Sequence, residues 1–510
     1  MKRVVIFGTE QRGDETYDIL KCISEYEVVA FSDNDKTKWN GIKRGLNILP
    51  PTEIRTRYPE SILVIASSYY ADIWMQLNIN GWIPQGGCME SVNQIIGDLS
   101  DFNRKYLISE VCRKTTFYNL HYIEKAITEV EKPNTEKYLI ICNGGYPKKG
   151  NPRCAFAHRR TLEYIKKGIK VEAFGFIPDT SLETYEYQGV KVWQGGIAEL
   201  QRLIECRKYQ KILIHFIEIG IMYAIWKAGA IEMPMIVYMH GYEGQKWNRI
   251  YFCYSEEEIK ANKEKWEKYD THKLRFLFDI FGMKNITFVF VSEWLKNRVK
   301  KNVGRLPENW TVIPNFIDCE FYQSEEKKEE ARRKILCIKS HATKIYANDL
   351  TAKAILELSQ KDYFKELEFH LYGDGVLFEE NFKELLEEKF DNVHIHKEFL
   401  EQDQVRKLFV QNGILLAPTR MDTHGVIACE GMSAGMAVIS CNTGAVPEFI
   451  NEDSGSLFEF DNYWQLSEEI EYLYLHPEEF LRKARNARER VRKQCGYEAT
   501  IQKELELLMA

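Results

Sequence analysis

The chain has 510 residues, of which 45% are apolar and 28% are charged, and its formal net charge at pH 7 is −6. A chain of this length can bury several cores, and its weakly acidic balance excludes the strongly basic surface of a generic nucleic-acid binder. The 12 cysteines form no C-x-x-C pair and the most apolar stretch, 212–230, contains charged residues, so the sequence predicts a soluble cytoplasmic protein with reduced thiols rather than a secreted or membrane-spanning one.

The first predicted unit, residues 1–97, is a small Rossmann-like domain. A β-branched run at 3–7 ends at Gly8, a helical pattern begins at Gly13, and a second strand ends at Asp33. The turn keeps only the outer glycines of a phosphate-binding loop, so a nucleotide site with Asp33 on a ribose hydroxyl and a purely structural turn both stay open. The pattern resembles the domain found ahead of some sugar acyltransferases and polysaccharide-synthesis enzymes. Its role stays open between a second nucleotide-sugar site, an oligomerisation module and a spacer.

The rest of the chain alternates strands with helices. Residues 98–135 have charged and aromatic side chains at helical spacing and predict a helical linker. The alternation that follows is typical of parallel sheets covered by helices. A charge run at 323–334 divides it into two lobes, 136–325 and 326–490, and residues 491–510 predict a final helix that packs back on the first lobe. The predicted fold class is α/β, with two doubly wound lobes that share a ligand-binding cleft.

The segment PTRMDTHGVIACEGMSAG, 418–435, has the most specific pattern. It predicts a loop after a buried strand and then a helix, whose first backbone amides form an anion site suited to a diphosphate. Those amides belong to His424, Gly425 and Val426. Asp422 lies in the loop and Glu430 about two turns into the helix, so the two carboxylates could contact opposite ends of one long ligand. Glu430 stands in an apolar run, where a carboxylate needs a hydroxyl or cation as its partner.

This segment resembles the signature of glycosyltransferase family 4, in which a carboxylate is followed after seven residues by Glu and then by a helix of small residues. Further matching motifs are VIPNFID at 312–318, LYGDG at 371–375 and AVPEFI at 445–450. The resemblance runs from Tyr138 to near the C-terminus. It implies a GT-B fold and a retaining, metal-independent transfer of a sugar from a nucleoside diphosphate. It also implies that Asp422, where the family usually has Glu, contacts the donor sugar and that Glu430 contacts the nucleotide ribose.

The resemblance suggests further site residues. Lys339 and Lys344 are the nearest matches to an Arg and a Lys that hold the donor phosphates, and such cations would stabilise the departing diphosphate. His240, at the end of strand MIVYMH, matches a cleft-facing His near the transferred sugar. Other donor-site candidates are Gly144, Gly145, Gly373, Lys397 and Leu400. Exposed lysines, a structural His and plain glycine turns are the competing interpretations.

The sequence therefore predicts a glycosyltransferase with no cofactor and no metal site. Its expected partners are a nucleotide sugar, UDP- or GDP-linked, and a glycan or lipid-linked saccharide acceptor of surface polysaccharide or glycoconjugate synthesis, with no nucleic acid. Three points stay open: work at the inner face of the membrane, peripheral membrane contact, and self-association. The candidate for membrane contact is a basic helix with Arg159, Arg160, Lys166 and Lys167. Two alternatives also stay open: a non-catalytic or degenerate binding protein, and a GT-B phosphorylase or epimerase.

Overall fold

The structure is a computed structural model that describes residues 1–67, 70–89, 92, 95, 137–148, 153–178, 180 and 182–509. The predicted helical linker at 98–135 lies outside these residues. The chain divides into two compact units. The first consists of residues 1–155 and 168–236, and the second of residues 156–167 and 237–510. The domain bounds predicted from the sequence remain predictions.

The first unit begins with a six-stranded sheet. Its strands are β1 (Lys2–Phe7), β2 (Tyr26–Ser32), β3 (Ile42–Lys43), β4 (Leu46–Leu49), β5 (Ile62–Ile65) and β6 (Cys88–Met89), and its helices are α1 (Gln11–Lys21), α2 (Ile54–Arg57) and α3 (Tyr70–Ile79). The order is β3-β4-β2-β1-β5-β6, parallel except between β3 and β4. Helix α1 starts before the predicted Gly13, where a Cβ would lie 2.2 Å from the carbonyl oxygen of Gly8. Asp33 accepts hydrogen bonds from the amides of Thr9 and Asp35, so it braces the turn.

Five further strands belong to the first unit. They are β7 (Tyr138–Asn143), β8 (Val171–Phe176), β9 (Glu183–Tyr187), β10 (Val190–Gly195) and β11 (Ile212–His215). Their order is β11-β7-β8-β10-β9, and only β9 and β10 run antiparallel. The helices along this part of the chain are α4 (Ala155–Lys166), α5 (Ile197–Arg207) and α6 (Ile219–Lys227). All of α4 except its first residue belongs to the second unit. The apolar stretch 212–230 is therefore a buried strand and a helix, as predicted.

The second unit contains three strands ahead of the charge run. They are β12 (Met235–Met239), which begins at the end of the first unit, β13 (Ile286–Phe290) and β14 (Asn309–Val312), with helices α7 (Glu256–Ile280) and α8 (Glu293–Val303). Ser255 and Glu258 form a capping box that starts α7. The Ser292 hydroxyl caps α8 by accepting from the amide of Leu295 at 3.2 Å, and Gly304 ends this helix in the left-handed conformation.

The third sheet is wholly parallel, in the order β17-β16-β15-β18-β19-β20, where the strands are β15 (Lys334–Ile338), β16 (Glu368–Gly373), β17 (Val393–Lys397), β18 (Ile414–Ala417), β19 (Ala437–Cys441) and β20 (Gly455–Phe458). Its helices are α9 (Asn348–Leu358), α10 (Phe378–Glu388), α11 (Gln402–Gln411), α12 (Val426–Ser433), α13 (Val446–Phe449), α14 (Tyr463–Leu475), α15 (Pro477–Cys495) and α16 (Ile501–Met509). Ile335 and Cys337 join one apolar core and Leu336 another, because alternate residues face opposite sides. Strand order reverses between β15 and β18, so ligands are expected at the carboxyl ends of these two strands.

The charge run at 323–334 is packed more closely than a solvated linker. A 3-10 helix covers Glu329–Arg333, and the Arg332 guanidinium donates to the carbonyl of Tyr474 at 2.8 Å. The half-buried Lys327 ammonium donates to the carbonyl of Val410 at 3.1 Å. Burial lowers the pKa of Lys327 to about 8. The run is therefore attached, through Lys327 and Arg332, to the segments that surround the third sheet.

The final helix α16 packs on α4 within the second unit. The carboxylate of Glu504 lies 3.3 Å from the guanidinium of Arg160 and accepts a hydrogen bond from the Tyr164 hydroxyl. All three side chains are buried. Among the residues that the structure describes, no helix has the length and apolar character needed to cross a lipid bilayer.

Candidate functional site

A small pocket lies where β15 and β18 end, at the point of reversal in the third sheet. Its lining includes Lys339, which follows β15, and Thr419, Asp422, His424 and Gly425 from the loop between β18 and α12. The two strands are direct neighbours, with Leu336 opposite Leu415. The sheet thus brings together a cation and a carboxylate that lie far apart in the sequence.

The two lysines predicted for phosphate binding have different surroundings. Lys339 is only 8% exposed, and its ammonium lies 5.9 Å from the centre of the Tyr346 ring. Burial lowers the pKa of Lys339, and the neighbouring Asp422 carboxylate opposes that shift. Lys344 is exposed, at the start of a short 3-10 helix, Lys344–Tyr346. One cation is therefore enclosed in the protein, and the other stands at the surface of the same loop.

Asp422 holds the start of helix α12. Its Oδ1 accepts hydrogen bonds from the amides of His424, at 3.0 Å, and Gly425, at 2.8 Å. Two of the three amides that the sequence assigns to an anion site are thus bonded to a carboxylate of the chain itself. This arrangement orients the Asp422 side chain, because an acceptor shared by two amides has little freedom to rotate.

Glycines allow the loops around this pocket to approach closely. A Cβ at Gly373 would lie 1.9 Å from the carbonyl oxygen of Lys339, and one at Gly444 would lie 2.1 Å from the carbonyl oxygen of Asp422. Gly425, just before α12, has a φ of 77°, which few other residues adopt without strain. The predicted Gly373 therefore shapes the backbone beneath Lys339.

Glu430 has the hydroxyl and cation neighbours that its apolar surroundings require. It lies half-buried on α12, near the phenol of Tyr322 and the guanidinium of Arg159. Burial raises the pKa of Glu430 to about 7, although both neighbours favour its charged form. Arg159 is itself fixed by Asp318, at 3.2 Å, and by the ring of Phe321, at 4.1 Å. The sequence predicted the need for these partners but not their identity.

The two predicted histidines are buried and neutral. Burial and the neighbouring Arg160 lower the pKa of His240, whose ring lies 4.8 Å from that of Phe156. Burial also lowers the pKa of His424 to about 4. The His424 ring packs on Phe449, with Nε2 3.5 Å from the thiol of Cys495. The His424 imidazole thus packs against Phe449 and Cys495, while its backbone amide donates to Asp422.

Arg420 is a site residue that the sequence interpretation missed. Its guanidinium is held by Asp349 through two bonds of 2.7 and 2.8 Å and by Asp461 at 2.7 Å, and it donates to the carbonyl of Lys344 at 2.8 Å. Its own amide donates to the carbonyl of Ile345 at 2.8 Å. Arg420 therefore joins the loop of the exposed lysine to the loop of Asp422. Its position just after a predicted strand end was the available signal.

A second missed residue is Glu448, in the motif AVPEFI. Its carboxylate accepts hydrogen bonds from the amides of Glu293, at 3.0 Å, and Trp294, at the start of α8. Nearby, the hydroxyl of Thr423 donates to the carbonyl of His240 at 2.5 Å. These contacts join the loops of the third sheet to the segments around β12 and α8.

The remaining predicted residues are less closely tied to the pocket. Lys397 is exposed and pairs with Glu379 at 2.9 Å, and Leu400 is half-buried beside a core of the third sheet. Gly144 and Gly145 follow β7 in the first unit, both with positive φ. Their roles in binding remain predictions.

Comparison with solved structures identifies the fold. A structure of the Anabaena protein HepE in complex with UDP and glucose aligns with 73% of this chain and 99% of its own, at a TM-score of 0.53 and 13% identity. The fold is GT-B. This confirms the α/β, GT-B prediction, and an identity this low shows the fold alone.

Sequence comparison finds family models that match two parts of the chain. Residues 332–476 match the model described as Glycosyl transferases group 1, and residues 1–83 match C2185-like, N-terminal. The Arabidopsis thaliana sulfoquinovosyl transferase SQD2 is 27% identical over 112 residues, 21% of each chain. A human phosphatidylinositol N-acetylglucosaminyltransferase subunit is 26% identical over 170 residues, 32% of this chain and 34% of its own. This chain therefore spans about a third or less of the length of these curated relatives. The group 1 domain and the GT-B fold together support a glycosyltransferase.

Proposed function

We propose that this protein is a retaining, family 4-type glycosyltransferase that moves a sugar from a UDP- or GDP-sugar to a glycan or a lipid-linked saccharide. One observation carries the proposal: the reversal point of the third sheet places the buried cation Lys339 beside the carboxylate of Asp422. A nucleoside diphosphate sugar presents anionic phosphates next to sugar hydroxyls, and this pair offers one partner for each. The reaction uses no metal, because cations of the chain stabilise the departing diphosphate.

The hydrogen bonds at the start of α12 suggest how the donor is divided among these residues. The amides of His424 and Gly425 donate to Oδ1 of Asp422, so its other oxygen, Oδ2, can accept a hydrogen bond from a hydroxyl of the sugar. The phosphates then lie toward Lys339 and the exposed Lys344, which Arg420 holds in place. A lysine that is already desolvated interacts strongly with a phosphate, because little water has to be removed on binding.

In this arrangement the carboxylate of Glu430 binds the hydroxyls of the ribose. Ribose hydroxyls donate to a carboxylate, and such bonds favour its charged form. The pKa of Glu430, about 7 in the free protein, is therefore expected to fall when the donor binds. Lys397 and Leu400 are the proposed neighbours of the base.

The acceptor is proposed from the names of the relatives. Both are named as transferases, and one name refers to phosphatidylinositol, a lipid. A saccharide or lipid-linked acceptor in glycoconjugate synthesis fits these names, with the enzyme in the cytoplasm or at the inner face of the membrane. Self-association belongs to the same proposal, with the small domain at residues 1–97 as one candidate site.

The test is a panel of UDP-, GDP- and dTDP-sugars, measured by thermal stabilisation and by release of free nucleotide. Asp422→Asn keeps an oxygen for the two amides and removes the charge, so we expect it to fold and to lose transfer. Glu430→Ala should weaken donor binding. Asp391→Asn, an exposed carboxylate of the same lobe, is the matched control. If no nucleotide sugar stabilises the protein and Glu430→Ala changes nothing, the proposal fails.

The same panel separates the alternatives. A phosphorylase would be stabilised by inorganic phosphate and not by nucleotide sugars. A degenerate binding protein would be stabilised by a nucleotide sugar without releasing nucleotide, and Asp422→Asn would then have no activity to lose. The anomeric configuration of the product, read by NMR, tests retention, and activity that survives a chelator tests metal independence.

A further inference from the structure

One face of strands β16 and β17 holds a group of side chains that the proposed reaction does not use. Glu368 and His370 lie two residues apart on β16, and His394 on β17 lies directly opposite His370. Residues two apart in a strand share a face, and paired residues of parallel neighbours lie side by side. A carboxylate and two imidazoles therefore project together from the edge of the third sheet.

The geometry of these groups is close to that of metal ligands. The Oε1 of Glu368 lies 2.9 Å from the Nε2 of His370 and 3.9 Å from the Nε2 of His394. The ligand atoms of all three residues lie within 4.8 Å of one another. In a tetrahedral zinc site with bonds of about 2.0–2.1 Å, ligand atoms are roughly 3.3 Å apart. The observed separations lie on both sides of that value, and small side-chain rotations would reach it.

We propose that Glu368, His370 and His394 bind a divalent transition-metal ion, Zn²⁺ in the first instance, on this face of the sheet. Two imidazoles and one carboxylate are a ligand set for zinc and its neighbours, whereas Mg²⁺ and Ca²⁺ prefer sites made of oxygen alone. Water completes the coordination, because the side chains are 37%, 21% and 41% exposed in that order. The ion takes the place of the hydrogen bond between Glu368 and His370.

One cation lies beside the proposed ligands. The Lys334 ammonium lies 3.5 Å from the other carboxylate oxygen of Glu368, Oε2. Exposed pairs of this kind are weak, so Lys334 does not prevent binding.

A second group of ligand atoms is less suited to an ion. His424, Cys429 and Cys495 bring their ligand atoms together in the core beside α12. All three are buried, and burial raises the pKa of Cys495 well above its usual value. An ion there would have to displace thiol protons from two cysteines that are almost completely buried. The exposed site needs no such step.

An ion at the exposed site would tie two strands together at the edge of the donor-side sheet. β17 is the outermost strand and pairs with β16 alone. A ligand that binds only the folded state stabilises it by mass action, so the ion should raise Tm. This inference does not depend on the proposed transfer reaction.

The experiment uses the full chain without an affinity tag, treated with chelator and then titrated with Zn²⁺ by calorimetry and with Co²⁺ by visible absorption. We expect one ion at this site. His394→Ala and Glu368→Gln should each weaken Zn²⁺ binding about tenfold or more, since even supporting residues of metal sites have effects of that size. Zn²⁺ should raise the Tm of the parent, and Mg²⁺ should not.

Two control variants make the result decisive. His272→Ala removes a histidine from α7, away from any predicted ligand set, and should bind Zn²⁺ as the parent does. Cys429→Ser should also bind normally. The proposal is overturned if the parent binds no Zn²⁺, if His394→Ala and Glu368→Gln bind it unchanged, or if the loss appears in Cys429→Ser instead.

Discussion

Replacing Arg420 by Met tests whether one guanidinium holds the two loops of the pocket together. Met keeps much of the apolar stem and removes the charge. Asp349 then loses both of its bonds to the guanidinium, and the carbonyl of Lys344 loses its donor. We expect the segments 343–350 and 419–424 to open locally more often, with the rest of the sheet intact.

The size of the effect follows from burial. Arg420 is 8% exposed, the side chain of Asp349 is 29% exposed, and that of Asp461 is 50% exposed. Removing one partner of a fully buried pair costs about 3–5 kcal/mol, whereas an exposed pair contributes about 0–1 kcal/mol. The pair with Asp349 lies between these limits and the pair with Asp461 near the lower one. We therefore expect a loss of about 2–3 kcal/mol, or roughly 30- to 150-fold more frequent opening.

Hydrogen exchange with mass spectrometry measures this opening peptide by peptide, which suits a chain of several domains whose global unfolding is not two-state. The control is Arg275→Met, which breaks an exposed helical pair with Asp279 and should change protection little. The bond with Arg420 lowers the pKa of Asp349 against the effect of burial, so the difference from the parent should shrink as pH falls through that lowered pKa. Unchanged protection at 343–350 at neutral pH would refute the reasoning.

Three further outcomes are expected. Burial raises the pKa of Glu430 from 4.5 to about 7, so between these pH values the folded parent keeps a proton that the unfolded chain releases. The stability of the parent therefore falls as pH rises through this range. The Tm of Glu430→Gln minus that of the parent should rise from pH 5 to pH 8. Gly373→Ala puts a Cβ 1.9 Å from the carbonyl of Lys339 and should lower Tm more than Gly229→Ala, which has a positive φ but open space around it; equal losses would contradict a close approach. Glu448→Ala removes the acceptor at the start of α8 and should cost about 0.5–2 kcal/mol, seen as faster exchange of the first amides of that helix, whereas unchanged exchange would exclude a capping role.

The strands and the position of the pocket could be predicted from the sequence. Short apolar runs mark β15 and β18, and turn residues after them mark strand ends. The small-residue segment after Asp422 predicted a loop and then a helix, which the structure confirms. These features are local, so periodicity and turn chemistry are enough to find them.

The contacts made by side chains around the pocket could not be predicted in the same way. Arg420 bonds to Asp349 and Asp461, which are 71 and 41 residues away, and their meeting depends on the order of the strands. The orientation of the His424 ring is set by packing on Phe449, and no local pattern in the sequence indicates it. The sequence gives the order of strands along the chain but not their order across the sheet, and the partners of polar side chains follow from the latter.

The pairing of Arg160 with Glu504 has a consequence for synthesis on the ribosome. Tyr164 and Arg160 lie on α4, and their carboxylate partner is made about 340 residues later. At translation rates of about 5–20 residues per second, that interval lasts roughly 20 to 70 seconds. During that time the Arg160 guanidinium lacks this carboxylate, so α4 cannot reach its final surroundings before Glu504 has been made. The second unit is therefore expected to complete its folding only after translation has passed Glu504, and chaperones that hold nascent chains would act on it late.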